Sequence, residues 1–185
     1  MKKIFLLISG LLLVSFCEDN PASSENDERI LASYRSSEVE QLAKSIRADA
    51  ELILIECKDV DLEGRALCWS YIYFAIAPDS LYYFHTEREK IMFDSSRSGA
   101  LDGAGILSPD WIDSDQAIEI AEENGGQEIR AGESVFRLEG SLGKPVVPNA
   151  YNCWYIGYRE EDSDALQVLF LIDAITGELK DKYIQ

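Results

Sequence analysis

His85 is the one histidine in 185 residues, and it stands between Phe84 and Thr86 in a short apolar run. An imidazole can serve as a base or a zinc ligand, but a three-ligand zinc site draws on several His or Cys at helical or C-x-x-C spacing. No such spacing occurs, and no G-x-S-x-G, H-E-x-x-H or phosphate-loop pattern accompanies His85. DVDLEG, Asp59 to Gly64, opens like a calcium loop, yet its twelfth position is Ser70 where a bidentate Glu is needed. Gly99, Gly103 and Gly105 make no dinucleotide fingerprint and read as linker. These residues assemble no nucleophile and base, so no metal, no cofactor and no enzymatic activity are expected.

The more telling chemistry is recognition. Trp69, Tyr71 and Tyr73 alternate along one strand face, with Ser70, Ile72, Phe74 and Ile76 on the other. Both faces are apolar, so one helix on one side does not satisfy them. The aromatic face either packs on another part of the chain or presents a platform to a protein or peptide, flanked by Tyr82, Tyr83 and Phe84. Trp69, Tyr71 and Tyr73 are the expected partner-binding residues. The formal net charge is −17, from 34 acidic and 17 basic side chains. Such a surface repels a phosphate backbone, so nucleic acid is excluded as a partner, and the same acidity keeps a protein soluble.

The first stretch is an address. MKKIFLLISGLLLVSFC sets two lysines before an apolar run from Ile4 to Val14. That run is too short to span a bilayer, which takes about 20 residues, and it reads as a secretory signal over residues 1–16. Val14-Ser15-Phe16-Cys17 resembles a bacterial lipobox, although Phe16 stands where a small residue is usual. The resemblance implies that Cys17 is lipidated and anchors the chain to a membrane, outside the cytoplasm. EDNPASSENDE, 18–28, is polar and rich in Pro, Ser and Asn, and with Cys17 it makes a flexible tether over 17–30.

Outside the cytoplasm cysteines tend to pair. Cys57 ends one predicted strand and Cys68 opens the next, so a hairpin turning near Leu62-Glu63 sets them opposite each other. A Cys57–Cys68 disulfide is expected, with Cys68–Cys153 as the alternative. A thiol nucleophile is not, since no second histidine stands in the chain to serve as its base.

The elements repeat. SSEVEQLAKSIRADA (36–50) places Val39, Leu42, Ala43, Ile46 and Ala50 on one helical face, with Ser37 and Glu40 as a capping box. ELILIEC (51–57), ALCWSYIYFAI (66–76) and LYYFHT (81–86) follow as strands, separated by turns at Gly64 and Pro78-Asp79-Ser80. A second helix, SDQAIEIAEEN, begins at an Asp113/Gln116 cap and ends at Gly125-Gly126. SVFRLEG (134–140), YNCWYIGYR (151–159) and LQVLFLID (166–173) are again strands, and both middle strands carry Cys-Trp, at Cys68-Trp69 and Cys153-Trp154. The expected fold is α+β: two tandem α-β-β-β repeats over 31–94 and 112–185, joined by a linker at 95–111. Each repeat is expected to be an antiparallel sheet with one helix on a face.

The second repeat, from Ile112 to Leu179, resembles the PepSY domain of bacterial envelope and secreted proteins. IDSDQAIEIAEENGG is similar to its helix, YNCWYIGYR to its middle strand and LIDAITGEL to its closing strand and turn. The first repeat resembles the family in outline, with HTEREKI where the T-G-E ending would stand. The resemblance implies a non-catalytic module that binds a protein or peptide and restrains a peptidase. A structural cell-envelope lipoprotein without a soluble ligand is the alternative, and no oligomeric state follows from either.

Overall fold

The computed structural model describes residues 28–77, 79–99, 104–132, 135–145 and 150–185. The expected signal segment, Cys17 and the tether as far as residue 27 lie outside the described residues. No helix among the described residues is long and apolar enough to cross a membrane.

Helix α1 spans Ser36–Ile46 and turns Val39 and Ala43 into the core, with Leu42 packed at its edge. It starts differently from the expected capping box. Arg35 holds the N-cap position, no side chain caps the helix, and Ser37 already lies inside the first turn. An ion pair from the Arg35 guanidinium to Glu38, at 2.6 Å, supports that turn instead. The helix stops at Arg47, which is extended, so Ala50 opens a strand and does not end the helix.

Four strands follow: β1 (Ala50–Val60), β2 (Trp69–Ala75), β3 (Ser80–Thr86) and β4 (Ile91–Ser98). Helix α2, Ser114–Ala121, then begins at the expected cap. Asp113 accepts from the Ser114 amide at 2.8 Å, and Gln116 reaches back to the Asp113 amide at 3.3 Å. The helical path breaks at Asn124 and Gly125, where Gly125 takes φ +111, and resumes as the short α3, Gln127–Arg130. Strands β5 (Phe136–Gly143), β6 (Cys153–Glu160), β7 (Leu166–Asp173) and β8 (Leu179–Ile184) complete the chain.

All eight strands join one antiparallel sheet in the order β4-β3-β2-β1-β5-β6-β7-β8. The two separate three-stranded sheets expected from the sequence are therefore one continuous sheet. The joint is β1 against β5, where Ile55 faces Leu142 and Glu56 faces Ser141. Its physical cause lies in ELILIEC: a strand apolar on both faces is unsuited to an exposed edge, and pairing closes the open edges of both halves. The edges fall to β4 and β8, which carry DSSRS and KDKY, and charged or polar edge strands resist adding further strands.

One face of the sheet is covered. Helix α1 packs against β1 and β3, and α2 against β6 and β7. The core beneath them is continuous across the β1–β5 joint, and Trp69 meets Trp154 edge-on at 6.1 Å between ring centroids. Residues 30–33 strap the first half to the second: the Ala32 amide donates to Ser114 Oγ at 3.0 Å and the Ser33 amide to Asp113 Oδ1 at 3.1 Å. Among the described residues no helix lies on the opposite face. Over the first half that face is capped by the segment after β4, where Ala104 packs on Ile53, Ile72, Phe74 and Tyr83. Residues 104–107 are thus tied to the sheet, with the Leu107 amide bonded to the Leu52 carbonyl at 2.9 Å and Ala104 bridged to Pro145.

Candidate functional site

The three residues expected to bind a partner are core. Trp69 and Tyr71 are 0% exposed and Tyr73 is 2% exposed. Their polar tips are occupied as well: Trp69 Nε1 donates to the Ile30 carbonyl at 2.8 Å and the Tyr71 hydroxyl donates to the Ala32 carbonyl. Burial pushes both tyrosine hydroxyls far above their ordinary pKa. The reason is the strap at 30–33 and helix α1, which lie over the odd-numbered face of β2. This aromatic stripe holds the two halves together and has no surface to offer.

The expected disulfide is also corrected. No bridge joins Cys57, Cys68 or Cys153 to one another. Glu56 pairs with Ser70 across β1 and β2, which puts Cys57 level with Trp69. Cys57 packs against the helix-covered core, whereas Cys68 is buried just ahead of β2 and forms no bridge to it. The alternative, Cys68 with Cys153, needs β2 to reach β6 across β1 and β5. Three strand spacings amount to roughly 14 Å, twice the Cα separation that a disulfide spans. Burial moves the Cys153 thiol up to about 11, which keeps it protonated and unreactive.

The uncovered face carries a different set of residues. Register places one row straight across it: His85, Ser70, Glu56, Ser141, Tyr155, Leu171 and Asp181, each opposite the next. Ser70 Oγ is 3.0 Å from His85 Nδ1, and His85 Nε2 is 3.9 Å from Asp94. Burial depresses the His85 pKa against the pull of Asp94 and Glu87, so the imidazole is neutral at pH 7. A serine, an imidazole and a carboxylate stand in order here, but Ser70 is buried and lies on a flat ladder whose amides are taken by strand pairing. Two surface hollows, of about 320 and 510 Å³, lie elsewhere. The first is lined by Ile129, Phe136 and Ile184 beside α3, and the second by Leu62, Asp115 and Glu119 beside α2. Among the described residues no group of three or more His, Cys, Asp or Glu converges as metal ligands would.

In the second half the row widens into an aromatic and aliphatic surface. Tyr155, Leu169 and Leu171 are half-buried, while Tyr151 is 40% and Tyr183 52% exposed. Burial pushes the Tyr155 hydroxyl up to about 12, helped by nearby Cys153, Tyr151 and Tyr183. Leu54 and Tyr155 meet over Gly143, which has no side chain to separate them. Gly157 likewise leaves room for the Glu139 side chain, which pairs with Arg159 at 2.7 Å. Glu56 lies near the middle of the whole face. Its pKa is raised by burial, then by Glu139, and tempered by Lys58.

The sequence reading did not select Tyr151, Tyr155 or Tyr183. The signal was present in YNCWYIGYR, where Tyr151, Cys153, Tyr155, Gly157 and Arg159 alternate with the core residues Trp154, Ile156 and Tyr158. A glycine and an arginine on one side of that alternation mark the side away from the helices. No family model matches the chain, and no curated protein or solved structure is found to be similar to it.

Proposed function

We propose that this chain is a non-catalytic module of a bacterial cell envelope, anchored through a lipid on Cys17, that binds a protein or peptide on the open face of its sheet. The observation that carries the reading is the tyrosine and leucine surface of the second half, Tyr151, Tyr155, Leu169, Leu171 and Tyr183, which no helix among the described residues covers. Tyrosine offers a large contact area with few rotors to freeze, and half-buried leucines beside it are what a contact surface leaves when its partner is away. The flat face around Ser70 and His85 favours binding over turnover, because the amides of the strands there are taken by pairing and the hollows described lie elsewhere.

The tandem organisation belongs to the same reading. Each half runs helix then strands, with the fourth strands β4 and β8 added at the edges. Trp69 and Trp154 make the same bond, each donating at 2.8 Å to the carbonyl of an isoleucine ahead of the helix of its own half, Ile30 and Ile112. That equivalence supports two PepSY-like repeats fused edge to edge, and through the resemblance of residues 112–179 it favours a peptidase as the protein that is restrained.

Site-specific photocrosslinking tests the binding reading. A photoreactive phenylalanine analogue replaces Tyr155 or Tyr183 in the full chain, in cells, with Glu123 on the helix-covered side as the control. A discrete adduct at 155 and 183, absent at 123, is expected. Equal labelling at all three positions, or none, would discard the binding face and favour a structural envelope protein without a soluble ligand.

A further inference from the structure

Among the described residues Glu56 accepts no hydrogen bond and forms no ion pair, although it is largely buried. Its oxygens are not sealed from solvent, and Lys58 eases the charge from two residues along, but no side chain on its own face holds it in a direct pair. Ser70 lies opposite on β2, and its hydroxyl is engaged with His85. Ser141 lies opposite on β5. Arg159 is committed to Glu139 at 2.7 Å, and Lys58, two residues along the same strand, is exposed and forms no ion pair with Glu56. Tyr155 stands two strands away in the same row, roughly 10 Å across the sheet.

We infer that the open face is built for a polypeptide partner that sets one basic side chain on Glu56, between Ser70 and Ser141, with its flanking apolar residues on Tyr155, Leu171 and Tyr183. This deepens the binding reading above and rests on it. The chemistry selects arginine first. Its planar fork makes two parallel charge-assisted bonds to a carboxylate, and its face stacks on a tyrosine ring. Lysine supplies the charge without the fork. The net charge of −17 draws the same class of partner and repels a second copy of this chain from lying face to face. Glu56 also explains why the contact is specific. Bound, the carboxylate gains the cation that it lacks; an acidic or wholly apolar partner would leave it buried and unpaired.

A random peptide library displayed on phage, panned against the full-length chain in detergent, tests this directly. Selected peptides are then measured by fluorescence polarisation against the wild-type chain, Glu56→Gln and Tyr155→Ser. The expected result is enrichment of peptides with an arginine or lysine beside aromatic or aliphatic residues, and a loss of affinity of about ten- to a hundred-fold on Glu56→Gln. Melting curves recorded in parallel separate that loss from unfolding, since Glu56→Gln removes a partly buried charge that no direct ion pair holds and leaves the fold intact. Peptides that lose binding on Tyr155→Ser but ignore Glu56→Gln, or that lack a basic residue, overturn the role of Glu56 while the binding face stands. Peptides that depend on neither residue, or no enriched peptide, overturn both.

Discussion

Trp154 is the test of how the two halves are held together. Its ring is fully buried, it meets Trp69 edge-on at 6.1 Å and Trp111 at 6.3 Å, and its indole N–H bonds to the Ile112 carbonyl at 2.8 Å. Trp154→Ala removes a large ring from a filled core, which costs about 3 to 5 kcal/mol. For a chain of this size each kcal/mol lowers the Tm by roughly 2 to 4 °C, so the expected fall is about 6 to 20 °C. Trp154→Phe is the sharper experiment. It keeps an aromatic ring in the core and deletes the donor, leaving the Ile112 carbonyl without its indole partner. An unmet buried acceptor costs about 1 to 3 kcal/mol, or roughly 2 to 12 °C.

Trp69→Phe removes the equivalent bond to Ile30, also 2.8 Å, and should fall in the same range. A second cycle, Trp69→Leu, Trp154→Leu and their double variant, removes the rings and reads the contact between them. Edge-on aromatic pairs carry about 0.5 to 1.5 kcal/mol beyond their burial, so the two losses should fail to add by about that amount. Circular dichroism melts on all of these proteins give every number. A Trp154→Phe melt within 1 °C of wild type, where roughly 2 to 12 °C is expected, would refute the indole bond. Strict additivity would refute the packing of one half on the other through these rings.

Two further substitutions probe the open face and the joint between β1 and α2. Burial raises the Glu56 carboxyl above its ordinary 4.5, so the folded chain holds that proton more tightly than the unfolded chain does. The stability tied to the proton is full below the unfolded value and is lost as pH rises through the folded one. Glu56→Gln should therefore raise the Tm at pH 8, with the gain vanishing as the pH falls below about 4, and a lower Tm at pH 8 would show that Glu56 is already paired. Gly64→Ala puts a side chain where φ is +74 and where Cβ would overlap the backbone of Asp115 at the start of α2. The expected loss is about 2 to 4 kcal/mol, read as a lower urea midpoint, and an unchanged midpoint would mean that the β1–β2 turn does not press on α2.

What the sequence made legible was local. Asp113 and Gln116 announce a cap because the cap is closed by residues three apart, and Gly177 announces a turn because a φ of +71 suits glycine there. The central strands were visible for the same reason, since alternation is read over a few residues. Edge strands were not: Ser95 to Ser98 in β4 and Lys180 to Lys182 in β8 are polar because edges must be, and polar residues without an apolar stripe look like linker or tail. The joining of the halves was equally hidden. Nothing in ELILIEC names Leu142 as the partner of Ile55, because register between distant strands is set by packing and leaves no local mark.

The face of β2 shows why a site can be misread where the strand is read correctly. Trp69, Tyr71 and Tyr73 alternate with Ser70, Ile72 and Phe74, and both sets are apolar enough to face a core. Composition favours the aromatic set as the binding surface, but burial is decided by what lies above. Residues 30–33 cover the aromatic set because Trp69 and Tyr71 offer donors to the carbonyls of Ile30 and Ala32, and a strap needs such partners to lie down. The other side has Ser70, His85 and Glu56 across its middle, and a helix laid there would bury a carboxylate without a cation. Glu56 thus helps to keep the open face open, and the feature that bars a helix is the one that a basic side chain of a partner would satisfy.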